Sequence, residues 1–473
     1  MAKFYLTSAI PYVNAKPHIG HALEFVQADV IARYHKIIGD ETLYLCGSDE
    51  NAIKNVQAAE KARIPLQTFI DTNAKLFEDL AKKLGVQFDI FQKGSDKNHH
   101  LSSQKLWELC YKNGDIYKKA YTGLYCVGCE LFYEKEELDN NGECFEHPGK
   151  KLEEVSEENY FFKLSSYKNQ IKNLIESNKL KIIPDNRKNE ALAFLNQEVK
   201  DISISRSNKR AKDWGVQVPN DPTQRMYVWF DALNIYQSGI GFGWNEEKYS
   251  KWWPADVQVI GKGILRFHAI YWPAFLLSAK LPVEKSILVH EYITINGQKM
   301  SKTLGNVIDP LMLIEKYGTD PLRYYFLHHI SPFIDGDFSE DKFKEVYNAD
   351  LANGLGNLVA RVAKLCEIND FKISERKLWF NPGVKKFLEE FKFNDALASV
   401  WELIAELNKE INDKKLWELS KEKAEPILKE AVEIIQLIGY NIQPFLPETA
   451  KKIQEQFKGP KITSKEGLFP RIV

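Results

Sequence analysis

Cysteine is scarce, with six in 473 residues. That is too few for a disulfide-stapled secreted scaffold. No uninterrupted apolar stretch approaches the roughly 18 residues that a membrane span requires. Pro11 comes before any long apolar run, and no charged start precedes one, so neither a signal peptide nor a membrane anchor is expected. The cytosol is the default compartment. Charge of one sign is lacking too: 64 Lys+Arg stand against 65 Asp+Glu. Even residues 341–473 hold 22 basic against 21 acidic groups. Any nucleic-acid binding must therefore come from local patches, not from a general field. What is present is ordinary for a globular protein: 44% apolar and 27% charged residues. The length suggests two to four domains at roughly 100–200 residues each.

Local patterning predicts an α/β fold. Lys3–Ile10 is β-branched and aromatic and reads as a strand, followed by a turn-prone Pro11–Pro17 segment. A helical pattern runs from His18 to about Ile38 and stops at Gly39. Thr42–Cys46 reads as a second strand, and further helical sequence follows Asp49. Strand, helix, strand, helix in this order predicts a Rossmann-type parallel sheet with crossover helices. Residues 116–221 break the rhythm with short runs and turns and read as an insertion. The alternation resumes with Met226–Phe230 and Asp256–Ile260, expected as buried strands. Residues 1–115 and 222–340 then make one domain. From 341 to 473 the amphipathic patterns Asp395–Ile411 and Ala424–Ile435 predict an α-helical bundle.

Two short motifs carry phosphate chemistry. His18-Ile19-Gly20-His21 lies between a strand and a helix. Residues three apart share a face of the first turn, where free backbone N–H groups and the helix dipole favour anions. Gly20 lets a flat ligand approach the backbone. Alone, such a pair more often caps a helix. The second motif, Lys299-Met300-Ser301-Lys302-Thr303, sits in a polar loop, where two ammonium groups can close over a triphosphate. Alone, it reads as solvated surface. Together the two resemble the signature of class I aminoacyl-tRNA synthetases. That resemblance implies a ligase that activates an amino acid with ATP and Mg²⁺ and passes it to tRNA. It further implies that His18 and His21 hold the ATP phosphates, Gly20 faces the adenine, and Lys299 and Lys302 stabilise the pyrophosphate.

Within that class, Thr7–Asn14, Tyr227–Ala232 and Phe267–Pro273 are similar to the methionyl-tRNA synthetases. The insertion is too short for the editing domain of the leucine, isoleucine and valine enzymes. The substrates implied are L-methionine and tRNA(Met). The methionine pocket would comprise Ile10, Tyr12, Asp49, Trp229, Leu233, Tyr236, Ile264, His268 and Trp272, with Asp49 pairing with the substrate ammonium. Apolar and aromatic walls suit an unbranched, polarizable side chain. Where the family has Asp-Glu-His-Gly this chain has Asp49-Glu50-Asn51-Ala52, and Gly263 stands where Asp is usual, so neither Asn51 nor Gly263 is assigned a role.

Cys126, Cys129, Cys144 and His147 form two pairs, each spaced by two residues, and can meet as a closed tetrahedral zinc site. A redox Cys-x-x-Cys would not explain Cys144 and His147. Cys46, Cys110 and Cys366 read as ordinary buried thiols. In the bundle, Leu351–Arg361 resembles the family's anticodon-reading helix, with Asn357 and Arg361 on one face and Trp417 as a stacking residue. Burial of Trp417 in a helical core is the competing reading. Some relatives carry an additional C-terminal tRNA-binding and dimerising domain; the sequence reaches Val473 soon after the bundle, so a monomer is expected. The rivals are another class I synthetase, for cysteine or leucine, a nucleotidyltransferase without tRNA, and a zinc-bearing RNA-binding protein.

Overall fold

The computed structural model describes residues 2–126, 131–133, 135–144, 149–300, 305–374 and 376–472. By internal contacts the chain forms two units. The first comprises Met1–Lys16, Glu41–Asp79 and Phe88–Val289; the second comprises Pro17–Asp40, Leu80–Gln87 and His290–Val473.

The first unit is built on a six-stranded sheet in the order Ile90–Lys93, Glu41–Ser48, Lys3–Ser8, Val257–Gly261, Ser286–His290, Lys181–Ile183. Lys3–Ser8 runs parallel to both of its neighbours, pairing Leu6 with Val257 on one side and with Tyr44 on the other. Sequence order reverses at this central strand, so a crevice opens beyond the carboxyl ends of Lys3–Ser8 and Val257–Gly261. Open parallel sheets bind ligands at such a point. The Rossmann-type expectation is met. The edge strand Lys181–Ile183 comes from the predicted insertion and pairs parallel with Ser286–His290. The rest of that insertion holds an antiparallel sheet, where Ile116–Cys126 pairs with Glu153–Phe162 from Ile116↔Phe162 to Tyr125↔Glu153.

One expectation is corrected. Met226–Phe230 is not a buried strand: Gln224–Met226 is a short strand paired antiparallel with Ser205–Ser207, and Val228–Ala232 is a helix. Val228, Trp229 and Phe230 are all buried, so no alternation of exposed and covered positions marks the local period.

The second unit begins with the helix Ile19–Ile38, closed by Gly39 at φ 95°. Gly39 adopts the left-handed conformation that lacks a Cβ penalty only in glycine. Arg323 is fully buried beneath it, 2.8 Å from Asp29, and donates to the carbonyls of Leu84, Pro444 and Phe445. A buried guanidinium is tolerated only when its donors are met this fully. The predicted bundle helices are Phe393–Asp413 and Lys421–Asn441. No strand follows Gly336–Phe338 among the described residues.

Candidate active site

The turn into Ile19–Ile38 is held by its own histidines. His18 Nδ1 accepts from Gly20 N at 3.1 Å, and His21 Nδ1 accepts from His18 N at 3.1 Å. The two rings lie 3.9 Å apart between centroids. The capping reading of this pair is thus correct as far as it goes, and it has a chemical consequence. An Nδ1 that accepts from a backbone N–H carries no proton, so each neutral ring bears its proton on Nε2. Both rings can therefore donate through Nε2–H at the positive end of a helix.

The lysine motif comes to the same turn. Ile19 N donates to Ile308 O at 3.2 Å, beyond the far end of the loop. The Met300 methyl lies 3.5 Å from where a Cβ on Gly20 would sit, and the His18 ring is at 3.1 Å. A Cβ at position 20 would press on the His18 ring and come into ordinary contact with the Met300 methyl. Lys299 ends the exposed strand Gln298–Lys299, which pairs with Ile293–Ile295. Lys302 lies outside the described residues.

The methionine-pocket candidates all belong to the first unit. Ile10 and Tyr12 follow the central strand; Tyr12 bridges Asp49, whose N–H bonds Pro11 O at 2.9 Å. Asp49 is buried, just past the end of Glu41–Ser48. Tyr12 meets Trp229 edge-on at 6.2 Å, and Trp229 meets His268 edge-on at 6.4 Å. His268 sits on a π-helical turn, Phe267–Tyr271. Its Nδ1–H donates to Ile264 O at 3.0 Å, while Nε2 accepts from the Tyr236 hydroxyl at 2.9 Å. Burial pushes the His268 pKa down to about 4, so the imidazole stays neutral at physiological pH. Leu233 and Trp272 are fully packed in the surrounding apolar cluster, and Ile10 packs against it. The result is a wall of rings with a buried carboxylate near one end.

Some participants had no role in the sequence reading. Phe267 stacks on Trp229 at 3.7 Å and 6°. Asn51 Nδ2 donates to Gly94 O at 2.8 Å and to Asp231 Oδ2 at 2.7 Å, and Asp231 also lies 3.4 Å from His99 Nε2. This buried network braces the segment after Asp49. The only sequence signal for it was a set of polar residues inside apolar runs.

In the insertion, Cys126 Sγ and Cys144 Sγ are buried and 3.2 Å apart. A disulfide needs about 2.05 Å. Two thiolates bound tetrahedrally to one zinc at about 2.3 Å each stand about 3.8 Å apart, so a small parting of this buried pair would be needed to seat the ion, and the sulfur donors are of the kind that zinc takes. Cys129 and His147 lie outside the described residues. Cys46, Cys110 and Cys366 are buried thiols, and burial pushes Cys110 and Cys366 up to about 12.

In the second unit, Asn357 is exposed at the start of the helix Asn357–Ile368. Arg361 lies 5.6 Å from the Trp417 ring and donates to Asn412 at 2.7 Å. Trp417 is 53% exposed, which removes the core-packing reading.

Comparison with known proteins agrees with this geometry. A family model described as tRNA synthetases class I (M) matches residues 4–363. Methionine--tRNA ligase of Thermotoga maritima is 39% identical over 98% of this chain and 77% of its own length. That of Brucella melitensis is 37% identical over 97% and 92%. The structure of Mycobacterium tuberculosis methionyl-tRNA synthetase in complex with methionyl-adenylate superposes with a TM-score of 0.93 at 34% identity, covering 100% of both chains. Its free-state structure gives 0.84 at 31% identity, covering 100% of this chain and 99% of that one. With more than two thirds of the chain matched by the family model, and near full-length relatives of one kind, this protein belongs to the methionine--tRNA ligase family of class I tRNA synthetases.

Proposed function

We propose that this chain joins L-methionine to tRNA(Met) at the expense of ATP. The methionine carboxylate attacks the α-phosphorus, forming methionyl-adenylate and releasing pyrophosphate. A hydroxyl of the tRNA's terminal ribose then takes the acyl group, and AMP leaves. The carrying observation is the meeting of the His18–His21 turn with the lysine-motif segment, through Ile19–Ile308 and Gly20–Met300. It supports one anion site made from two distant stretches of sequence.

In-line phosphoryl transfer asks a protein for positioning and charge stabilisation more than for covalent chemistry. His18 and His21 supply Nε2–H donors to the triphosphate, and Gly20 leaves room for the adenine. Lys299 and Lys302 offset charge as pyrophosphate departs, with Mg²⁺ travelling with ATP. Asp49 pairs with the methionine ammonium. The side chain is enclosed by Ile10, Tyr12, Trp229, Leu233, Tyr236, Ile264, His268 and Trp272. A neutral His268 keeps that wall uncharged, which suits a thioether.

Zinc held by Cys126, Cys129, Cys144 and His147 would clip the insertion together, with four protein ligands and no open position. Asn357, Arg361 and Trp417 form the anticodon-reading surface, where a splayed base stacks on the indole. Residues 1–115 with 222–340, 116–221 and 341–473 act as catalytic, connective and anticodon-binding segments. No helix among the described residues is long and apolar enough to cross a membrane. We place the enzyme in the cytoplasm because its tRNA substrate is there. We take the working unit to be a monomer, checked by sedimentation.

ATP–pyrophosphate exchange with each of the twenty amino acids tests the reading. Exchange should be driven by methionine. His21→Ala should reduce it roughly 10²–10³-fold, the usual cost of a lost charge-stabilising donor. Exchange driven by leucine or cysteine instead would overturn the specificity.

A further inference from the structure

Outside the adenylation site, the second unit gathers two histidines and a carboxylate at one point. His328 Nδ1 lies 3.1 Å from His329 Nε2, and His329 Nε2 lies 3.2 Å from Asp350 Oδ2. All three ligand atoms fall within 4.8 Å of one another. Consecutive side chains on a regular helix diverge by about 100°, so neighbouring histidines do not normally share a target. Here they do because Tyr325–His329 is a π-helical turn that ends at once in extended backbone at Ile330. The two rings come to 4.7 Å between centroids. Asp350 is offered by a second π-helical stretch, Tyr347–Gly356. Such widened turns recur at functional sites.

We propose that His328, His329 and Asp350 bind a divalent transition-metal ion, such as Zn²⁺, Co²⁺ or Ni²⁺. Ligand atoms each about 2.0–2.2 Å from a shared ion must stand roughly 3.0–3.5 Å from one another. The two close separations fall in that range. Two nitrogens and one carboxylate oxygen suit borderline cations and do not suit Ca²⁺ or Mg²⁺. The positioning shell is present as well. The Tyr324 hydroxyl donates to Asp350 Oδ2 at 2.9 Å and lies 3.2 Å from His328 Nδ1. Outer hydrogen bonds of this kind orient metal-binding carboxylates. His329 and Asp350 side chains are 26% and 28% exposed, so an ion can enter and water can complete its coordination. The bound ion would tie Tyr325–His329 to Tyr347–Gly356, which leads directly into the helix Asn357–Ile368. This site shares no residue with the cysteine cluster and does not depend on the ligase reading.

The alternative is a plain hydrogen-bonded cluster, with the proton on one imidazole shared between ring and carboxylate. Equilibrium dialysis of the full-length, untagged protein against Ni²⁺ separates the two. Wild type should bind one equivalent more than His329→Ala. Asp350→Asn should weaken that equivalent by more than ~100-fold, and Tyr324→Phe, which keeps all three ligands, by roughly 10-fold. With Co²⁺ the same equivalent should show ligand-field bands without the intense thiolate charge-transfer absorption of a cysteine site. Thermal unfolding of each variant without metal checks folding, and Tyr324→Phe keeps the test valid if a ligand variant does not fold. The proposal is overturned if wild type binds no more Ni²⁺ than His329→Ala. It also fails if Asp350→Asn and Tyr324→Phe bind as tightly as wild type.

Discussion

A single carboxyl group gives the sharpest handle on how this interior tolerates charge. Glu284 is fully buried, and no donor from another described residue reaches either carboxylate oxygen. Burial raises its pKa from 4.5 to about 8. The folded chain therefore keeps this proton up to about pH 8, while the unfolded chain releases it near pH 4.5. Over that window the folded state binds more protons, so stability falls as pH rises. Glu284→Gln removes the titration while keeping the shape. Thermal unfolding of both proteins at pH 5 and pH 8 should show the variant gaining on wild type by ~1 kcal/mol or more as pH rises, since each tenfold difference in proton affinity between folded and unfolded chain contributes about 1.4 kcal/mol. An unchanged gap would mean that a hidden partner keeps the carboxylate ionised. His268 displays the opposite case: burial lowers its pKa, and the neutral ring accepts from Tyr236, a state that suits the methionine pocket proposed above.

At the scale of elements, the helix Asn357–Ile368 and the short turn Leu416–Glu418 together present Arg361 and Trp417 on one exposed surface. An indole with a guanidinium beside it is a platform for a nucleobase, and a base stacked on an aromatic ring contributes about 1–3 kcal/mol. Trp417→Ala should lower tRNA charging roughly 10- to 100-fold and leave methionine-dependent ATP–pyrophosphate exchange near the wild-type rate. Equal losses in both assays would make Trp417 a structural residue. Elements of this unit were legible because their stops are chemical. Gly39 ends Ile19–Ile38 where the sequence placed the end, and Asp395–Ile411 lies within Phe393–Asp413. Met226–Phe230 was illegible for the converse reason. When every position is covered, an apolar run does not announce whether its period is two or 3.6. The π-helical turns were equally hidden, since no residue pattern distinguishes them from ordinary helix before packing is known.

For the whole molecule, hydrophobic patterning says which face of an element is covered, never what covers it. The chain passes between its two contact units at 16–17, 40–41, 79–80, 87–88 and 289–290, and no linear reading anticipates that interleaving. His18 and the lysine-motif segment were paired by their resemblance to the class I signature, and the ring wall by resemblance to the methionyl-tRNA synthetases, while Asn51 went unassigned because it departs from the family pattern and Phe267 because its stacking on Trp229 is set only by the fold. The same distinction governs how far damage should spread from the proposed zinc site. Ile116–Cys126 and Glu153–Phe162 form a long ladder rooted at Phe162, which packs edge-on against Phe275 at 4.9 Å, with Cys126 at the far end. A metal held at that end would close a local loop at the tip of the ladder, opposite the root at Phe162. Protein washed of loosely held metal should therefore retain about one zinc per chain, and Cys126→Ser should lose it. Hydrogen exchange in Cys126→Ser should lose protection around Tyr125 and Glu153, yet keep it at Ile116 and Phe162, with methionine-dependent exchange retained. A wild-type zinc content near zero would remove the metal from this account. Loss of protection along the entire ladder would show instead that the clip supports the insertion as a whole, and that its root in the core is not sufficient to hold it.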